Sequence, residues 1–173
     1  MVKKKRNPRA LRKTMVFVGE GEAEKAFLQH IKSIYGVGSL KLSIKSAGGK
    51  GPDNVLNDAI STLENCKCDK VAVLLDTDLP WPPKLRKIAQ KLDIELIGSK
   101  PCLEGLLLTI LGQPHPTPSN NKTCKQKLHP KLTGKETLKE SYQKAFSKNV
   151  LDQACKSVEP LKRVIQLISD RSS

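Results

Sequence analysis

Two hydrophobic periods alternate along the first two thirds of this chain. Met15 to Val18, MVFV, is an unbroken apolar run of strand length, and after Gly21 the residues Phe27, Ile31 and Ile34 recur at helical spacing. LKLSIKS, residues 40 to 46, sets Leu40, Leu42 and Ile44 against polar neighbours with a period of two, the pattern of a strand with one wetter face. Past the glycine-rich AGGKGPD, Leu56, Ala59, Ile60 and Leu63 return to helical spacing. KVAVLLDTD, from Lys70, is apolar enough for a strand buried on both faces. PPKLRKIAQKL then reads as a helix opened by Pro82 and Pro83, IELI as a short fourth strand, and CLEGLLLTIL as a mostly buried helix. The alternation predicts an α/β fold: a parallel four-stranded sheet flanked by helices over residues 15–111.

The pattern changes after residue 111. GQPHPTPSNNK, residues 112–122, holds three prolines and no period, so it reads as a loop. Residues 123–173 form a lysine-rich segment, expected to be a helical appendage packed on the same domain. Helices are predicted around 136–147 and 160–169, the second with Leu161, Val164, Ile165 and Ile168 on one face. Residues 1–14 begin MVKKKRNPRALRK, seven basic residues with no acid, and read as a flexible basic arm.

Charge alters the picture more than composition does. Lysine and arginine outnumber aspartate and glutamate by 31 to 17, a formal net charge of +14 that favours a polyanionic partner such as RNA or DNA. Aromatic residues make up only 3%, which argues against an aromatic platform for stacked bases and leaves an aliphatic core around Phe17, Phe27 and Phe146. No apolar run has the length to span a bilayer, and the N-terminus lacks the apolar segment of a signal peptide, so a cytoplasmic protein without a membrane partner is expected. Five cysteines at 66, 68, 102, 124 and 155 match no disulfide framework. Reduced thiols are expected, with a zinc set of Cys66, Cys68, Cys124 and His129 as the alternative.

Against this basic background, acid gathers at two strand ends. Glu20, Glu22 and Glu24 follow the first strand, and Asp76 and Asp78 close the third. Parallel strands end on one edge of their sheet, where ligands of open α/β folds collect, so carboxylates from both strands can converge. Such a cluster needs a cation, and an oxygen-only donor set suits Mg2+ or Mn2+. Glu22, in the first turn of a helix, is assigned to the helix dipole instead. The loop SAGGKGPD is not a P-loop, but Lys50 in it, with Lys100 further on, is a candidate phosphate contact. His30, His115, His129 and Trp81 are read as packing or surface residues.

The order of these motifs resembles the Toprim domain, in which Glu-Gly follows the first strand and Asp-x-Asp the third: here Glu20-Gly21 and Asp76-Thr77-Asp78. Within that group the chain most resembles the RloB-like family, through EGEAEKAF, with Glu24 as its second acid, and SKPCLEGLLL, with Glu104 as its glutamate. Ala23 stands where the family commonly has threonine, and Gly105 where it has an aromatic residue. The resemblance implies a metal-dependent nuclease of prokaryotic mobile defence loci, with related Toprim proteins cutting RNA, including transfer RNA, and with a regulatory partner protein. It makes Glu20 a metal ligand or general base, Asp76 and Asp78 metal ligands, and Glu24 and Glu104 accessory groups. The competing expectations are a non-catalytic Toprim module that binds nucleic acid or protein and a primase-type nucleotidyl transferase.

Overall fold

The structure is a computed structural model and describes residues 11–171. Residues 1–10 of the expected basic arm lie outside the described residues. Four strands, β1 (Lys13–Gly19), β2 (Leu40–Ser46), β3 (Lys70–Asp76) and β4 (Glu95–Ser99), form one sheet in the order β2-β1-β3-β4, every pair parallel. Its α-helices are α1 (Glu22–Tyr35), α2 (Gly51–Cys66), α3 (Pro83–Lys91), α4 (Leu103–Ile110), α5 (Asn121–Leu128), α6 (Lys148–Ala154) and α7 (Glu159–Ile168). This is the expected α/β fold. Because β1 starts at Lys13, the strand takes in the last two residues assigned to the arm.

The chain steps from β1 outward to β2, then crosses back past β1 to β3 and on to β4. Right-handed crossovers therefore put α1 on one face and α2 and α3 on the other. Packing agrees. Val55, Leu56, Ala59 and Ala89 join Val18, Val71, Val73 and Leu75 in one apolar cluster, while Phe27, Leu28 and Ile31 join Phe17, Ala72, Leu74 and Ile97 in the other. Alternation along β3 divides its side chains between the two, which is why that strand reads as a continuous apolar run.

The larger cluster also takes in the C-terminal third of the chain. Leu161, Val164, Ile165, Leu167 and Ile168 bury one face of α7 against it, and each such aliphatic side chain contributes about 1.5–3 kcal/mol on burial. Phe27, Tyr142 and Phe146 meet at centroid distances of 5.6 to 6.0 Å and close the space beneath α1.

Three local expectations are corrected. The helix expected over 136–147 is instead a compact loop with a short 3-10 turn at Lys139–Tyr142. Thr133 N–H donates to the Ser141 carbonyl and the Tyr142 hydroxyl to the Glu136 carbonyl, so this backbone folds onto itself. The loop expected over 112–122 ends early, because Asn120 caps α5: its side chain accepts from Thr123 N–H at 3.0 Å while Thr123 Oγ1 accepts from Asn120 N–H at 3.1 Å. Cys66 and Cys68 are not reduced thiols but are joined to each other, the left-handed Lys67 between them bringing their Cα atoms to 5.2 Å. Cys68 packs with the α2 face of the sheet and Cys124 is buried on the opposite face, so the four-residue zinc set does not assemble.

Candidate functional site

The strand order reverses between β1 and β3, and the carboxyl ends of these two strands lie side by side there: Gly19 pairs with Leu74, and Glu20 N–H donates to the Leu74 carbonyl at 3.1 Å. Gly19 matters because α1 turns back immediately. A Cβ at this position would stand 2.7 Å from the Glu24 Cβ and 2.9 Å from the Lys25 nitrogen. The close approach folds Glu24, in the first turn of α1, back beside the strand end. Asp76 closes β3, and its Oδ1 accepts from Leu103 N–H, the first residue of α4, at 2.9 Å. Glu104 follows in that same turn. Gly105 then packs flush on the segment before the helix, where a Cβ would meet Pro101 Cδ at 2.5 Å and the Lys100 carbonyl at 2.7 Å. An aromatic residue at this position has no room in the present packing.

Glu20, Glu24, Asp76 and Glu104 thereby line one cleft of about 300 Å³, closed on its far side by Asn121, Lys125, Glu136 and Thr137. Glu24, Asp76 and Glu104 are each less than 10% exposed (7%, 8% and 5%). Burial pushes Asp76 up to about 9, and the charges of Glu24, Glu20, Glu104 and Asp78 add to the rise. Glu24 is pushed up to about 7, first by burial, against hydrogen bonds from the backbone such as the one its Oε2 accepts from Gly21 N–H at 2.8 Å. Glu20 is raised by burial and by Asp78, opposed by the 3.1 Å hydrogen bond it accepts from Asp76 N–H. Two helix N-termini offset part of this repulsion, since Glu24 sits in the first turn of α1 and Asp76 and Glu104 at the start of α4.

The other expected site residues are placed elsewhere. Asp78 lies beyond the end of β3 on an exposed turn; it is near enough to raise Glu20 and Asp76 but is not part of the cleft wall. Lys50 is exposed at the start of α2 in the left-handed region, φ 70°, with Gly49 of the same loop on the cleft wall. Lys100 faces a different cavity, with Leu106, Thr109 and His115. Glu22 is exposed and pairs with Lys25 at 3.1 Å, in keeping with its structural assignment. Trp81 donates from Nε1 to the Asp76 carbonyl at 2.7 Å and packs beside Gly98.

Lys125 and Glu136, which sequence reasoning passed over, complete the far wall, and His129, expected to be a packing or surface residue, backs Glu136. Lys125 Nζ stands 2.7 Å from Glu136 Oε1 and 3.6 Å from Glu104 Oε1, and His129 Nε2 lies 2.8 Å from Glu136 Oε2. Burial alone would raise Glu136, but hydrogen bonds from Lys125 and His129 outweigh it and hold the carboxyl below its ordinary value. The one sequence signal for this wall was the Asn120 and Thr123 pair that starts α5 and so places Lys125.

The RloB-like protein family model matches residues 15–167, which includes every residue of the cleft. The chain belongs to the RloB-like family. No curated protein and no solved structure matches this RloB-like chain. The match runs through the lysine-rich segment, so the α5 wall lies inside the family region together with the strand ends.

The donor chemistry of the cleft fits a hard divalent cation. Four carboxylates face one space, three of them with raised pKa values, and among the described residues only Lys125 brings a positive charge to the cleft wall. Asp76 keeps one oxygen without a hydrogen-bond donor among the described residues. As the side chains stand, no group of three or more His, Cys, Asp or Glu among the described residues is arranged around a single point.

Proposed function

We propose that this RloB-like protein is a Toprim-type, metal-dependent phosphodiesterase that hydrolyses RNA, with transfer RNA the first candidate and DNA the alternative. The observation that carries the reading is the convergence of Glu20, Glu24, Asp76 and Glu104 on one cleft at the switch point of a parallel sheet. Acid concentrated and buried in this way is costly unless a proton or a cation relieves it. Asp76 and Glu20 are the residues to hold Mg2+ or Mn2+, with Glu24 and Glu104 beside them and Asp78 as an outer group. When bound, the ion supplies Lewis acidity at a phosphoryl oxygen and lowers the pKa of water.

The chain's own residues then have separate tasks. Glu20 is half-buried, with its Oε2 fixed by Asp76 N–H, and as the alternative to ligating the ion its raised pKa suits a base that takes a proton from attacking water. Asp76 ties β3 to α4 through Leu103 N–H, which holds the helix start that carries Glu104 against the end of the strand. The lysine excess of the chain attracts the phosphate backbone, and Lys50, next to Gly49 of the cleft wall, is the expected contact on the bordering loop. A role in prokaryotic defence, with a partner protein that restrains the enzyme, is proposed on the resemblance to the family alone.

Asp76→Asn is the better control than alanine, because asparagine keeps an acceptor for Leu103 N–H. Purified protein incubated with pooled transfer RNA, single-stranded RNA and duplex DNA should cut RNA with Mg2+ or Mn2+. Cutting should stop in EDTA and in the Asp76→Asn variant. Cleavage that persists in both would sink the carboxylate site; binding of intact substrates under every metal condition would favour the non-catalytic module.

A further inference from the structure

The far wall of the cleft carries a group that the carboxylate chemistry does not use. We propose that Lys125 is a substrate-contacting residue, which sets its ammonium against a phosphate oxygen of the nucleic acid strand in the cleft, with Glu136 and His129 as its positioning residues. The identity of the ligand rests on the nuclease reading above; the placement of the cation does not. Among the described residues Lys125 is the only cationic side chain on a wall otherwise formed by five carboxylates, counting Glu136 but not the outward Glu22, together with Gly21, Ala23, Gly49, Asn121 and Thr137. A phosphodiester entering there meets repulsion from most sides, and a fixed positive charge across from Asp76 opposes it.

The geometry is that of a presented ammonium rather than a consumed one. Glu136 Oε1 holds Nζ at 2.7 Å, while Glu104 is a looser neighbour at 3.6 Å. An ammonium has three donors, so at least one remains for the cleft. The side chain is 42% exposed, against 18% for Glu136 and 6% for Glu104. His129 engages the second oxygen of Glu136 at 2.8 Å and so fixes the carboxylate that aims the lysine. Capping by Asn120 anchors the helix that carries Lys125.

The test measures binding with cleavage switched off. In an Asp76→Asn background with Mg2+, the anisotropy of a labelled single-stranded RNA oligonucleotide is followed across a salt series for Lys125→Met, Lys125→Arg and, as a control on α3 across the sheet, Lys87→Met. Lys125→Met should bind about tenfold more weakly, as loss of one charge-assisted contact does. The slope of log affinity on log salt should fall by about 0.7, one phosphate contact to a single strand. Lys125→Arg should keep the slope, and Lys87→Met should match the background protein. Unchanged affinity overturns the proposal, as does weaker binding with an unchanged slope, which would mark a merely structural ion pair. A background protein that binds no oligonucleotide overturns it too. Failure of the nuclease reading shows separately, as absence of cutting by the unmodified protein.

Discussion

Asp76 is asked to do two incompatible things in the folded chain: accept a hydrogen bond from Leu103 N–H and share a buried cleft with three other acids. Asparagine satisfies the first demand without the second. In EDTA at pH 8, Asp76→Asn should therefore raise the melting temperature by several degrees, because asparagine is neutral without the protonation that folding imposes on the carboxyl at that pH, and about 1 kcal/mol moves a domain of this size by about 2–4 °C. A lower melting temperature would show that the carboxylate stabilises the fold without a cation. Of the residues in the site, Glu20 and Asp76 were legible because each closes an apolar run of strand length, while Glu24 and Glu104 were singled out by the resemblance to the RloB-like family. Lys125, Glu136 and His129 were not. Their contacts with one another and with Glu104 depend on how the last third of the chain folds back, and no local period encodes that.

Elements were legible where one face is apolar and the other wet. β2, matching residues 40 to 46, and α7, starting within a residue of the expected 160, both have that character. α5 has not: only Cys124 and Leu128 are buried in it, and its short polar sequence is held by its cap. The 136–147 segment misled for the opposite reason, since its buried aromatic residues Tyr142 and Phe146 are four apart as in a helix, yet the backbone between Thr133 and Tyr142 bonds to itself as a loop. The dependence of α5 on its cap can be measured. Asn120→Ala should cost about 1 kcal/mol of stability, the usual worth of an N-cap, read as the denaturant midpoint at unchanged slope. A loss within 0.3 kcal/mol would mean that burial of Cys124 and Leu128 alone holds the helix.

For the molecule as a whole, the cleft ties stability to pH and to divalent cations. Folded Asp76 holds its proton up to about 9 and folded Glu24 up to about 7, against ordinary values of 3.8 and 4.5. The folded chain therefore binds more protons than the unfolded one across that interval. Stability from these two groups is complete below about pH 4 and is lost as pH rises towards 7 for Glu24 and 9 for Asp76, the reverse of ordinary acid denaturation. A divalent ion competes with those protons, so it should matter little at pH 5.5 and much at pH 8.5. At a hundred times its dissociation constant a ligand adds about 2.7 kcal/mol, which is a rise of about 5–11 °C here. Melting curves with Mg2+, Mn2+ or EDTA at the two pH values should show that rise only at the higher one. The Asp76→Asn protein, without the dominant raised carboxyl, should lose most of both the pH slope and the cation response. Equal cation effects at pH 5.5 and 8.5 would place the ion outside this cleft and leave the four acids without the partner their burial calls for.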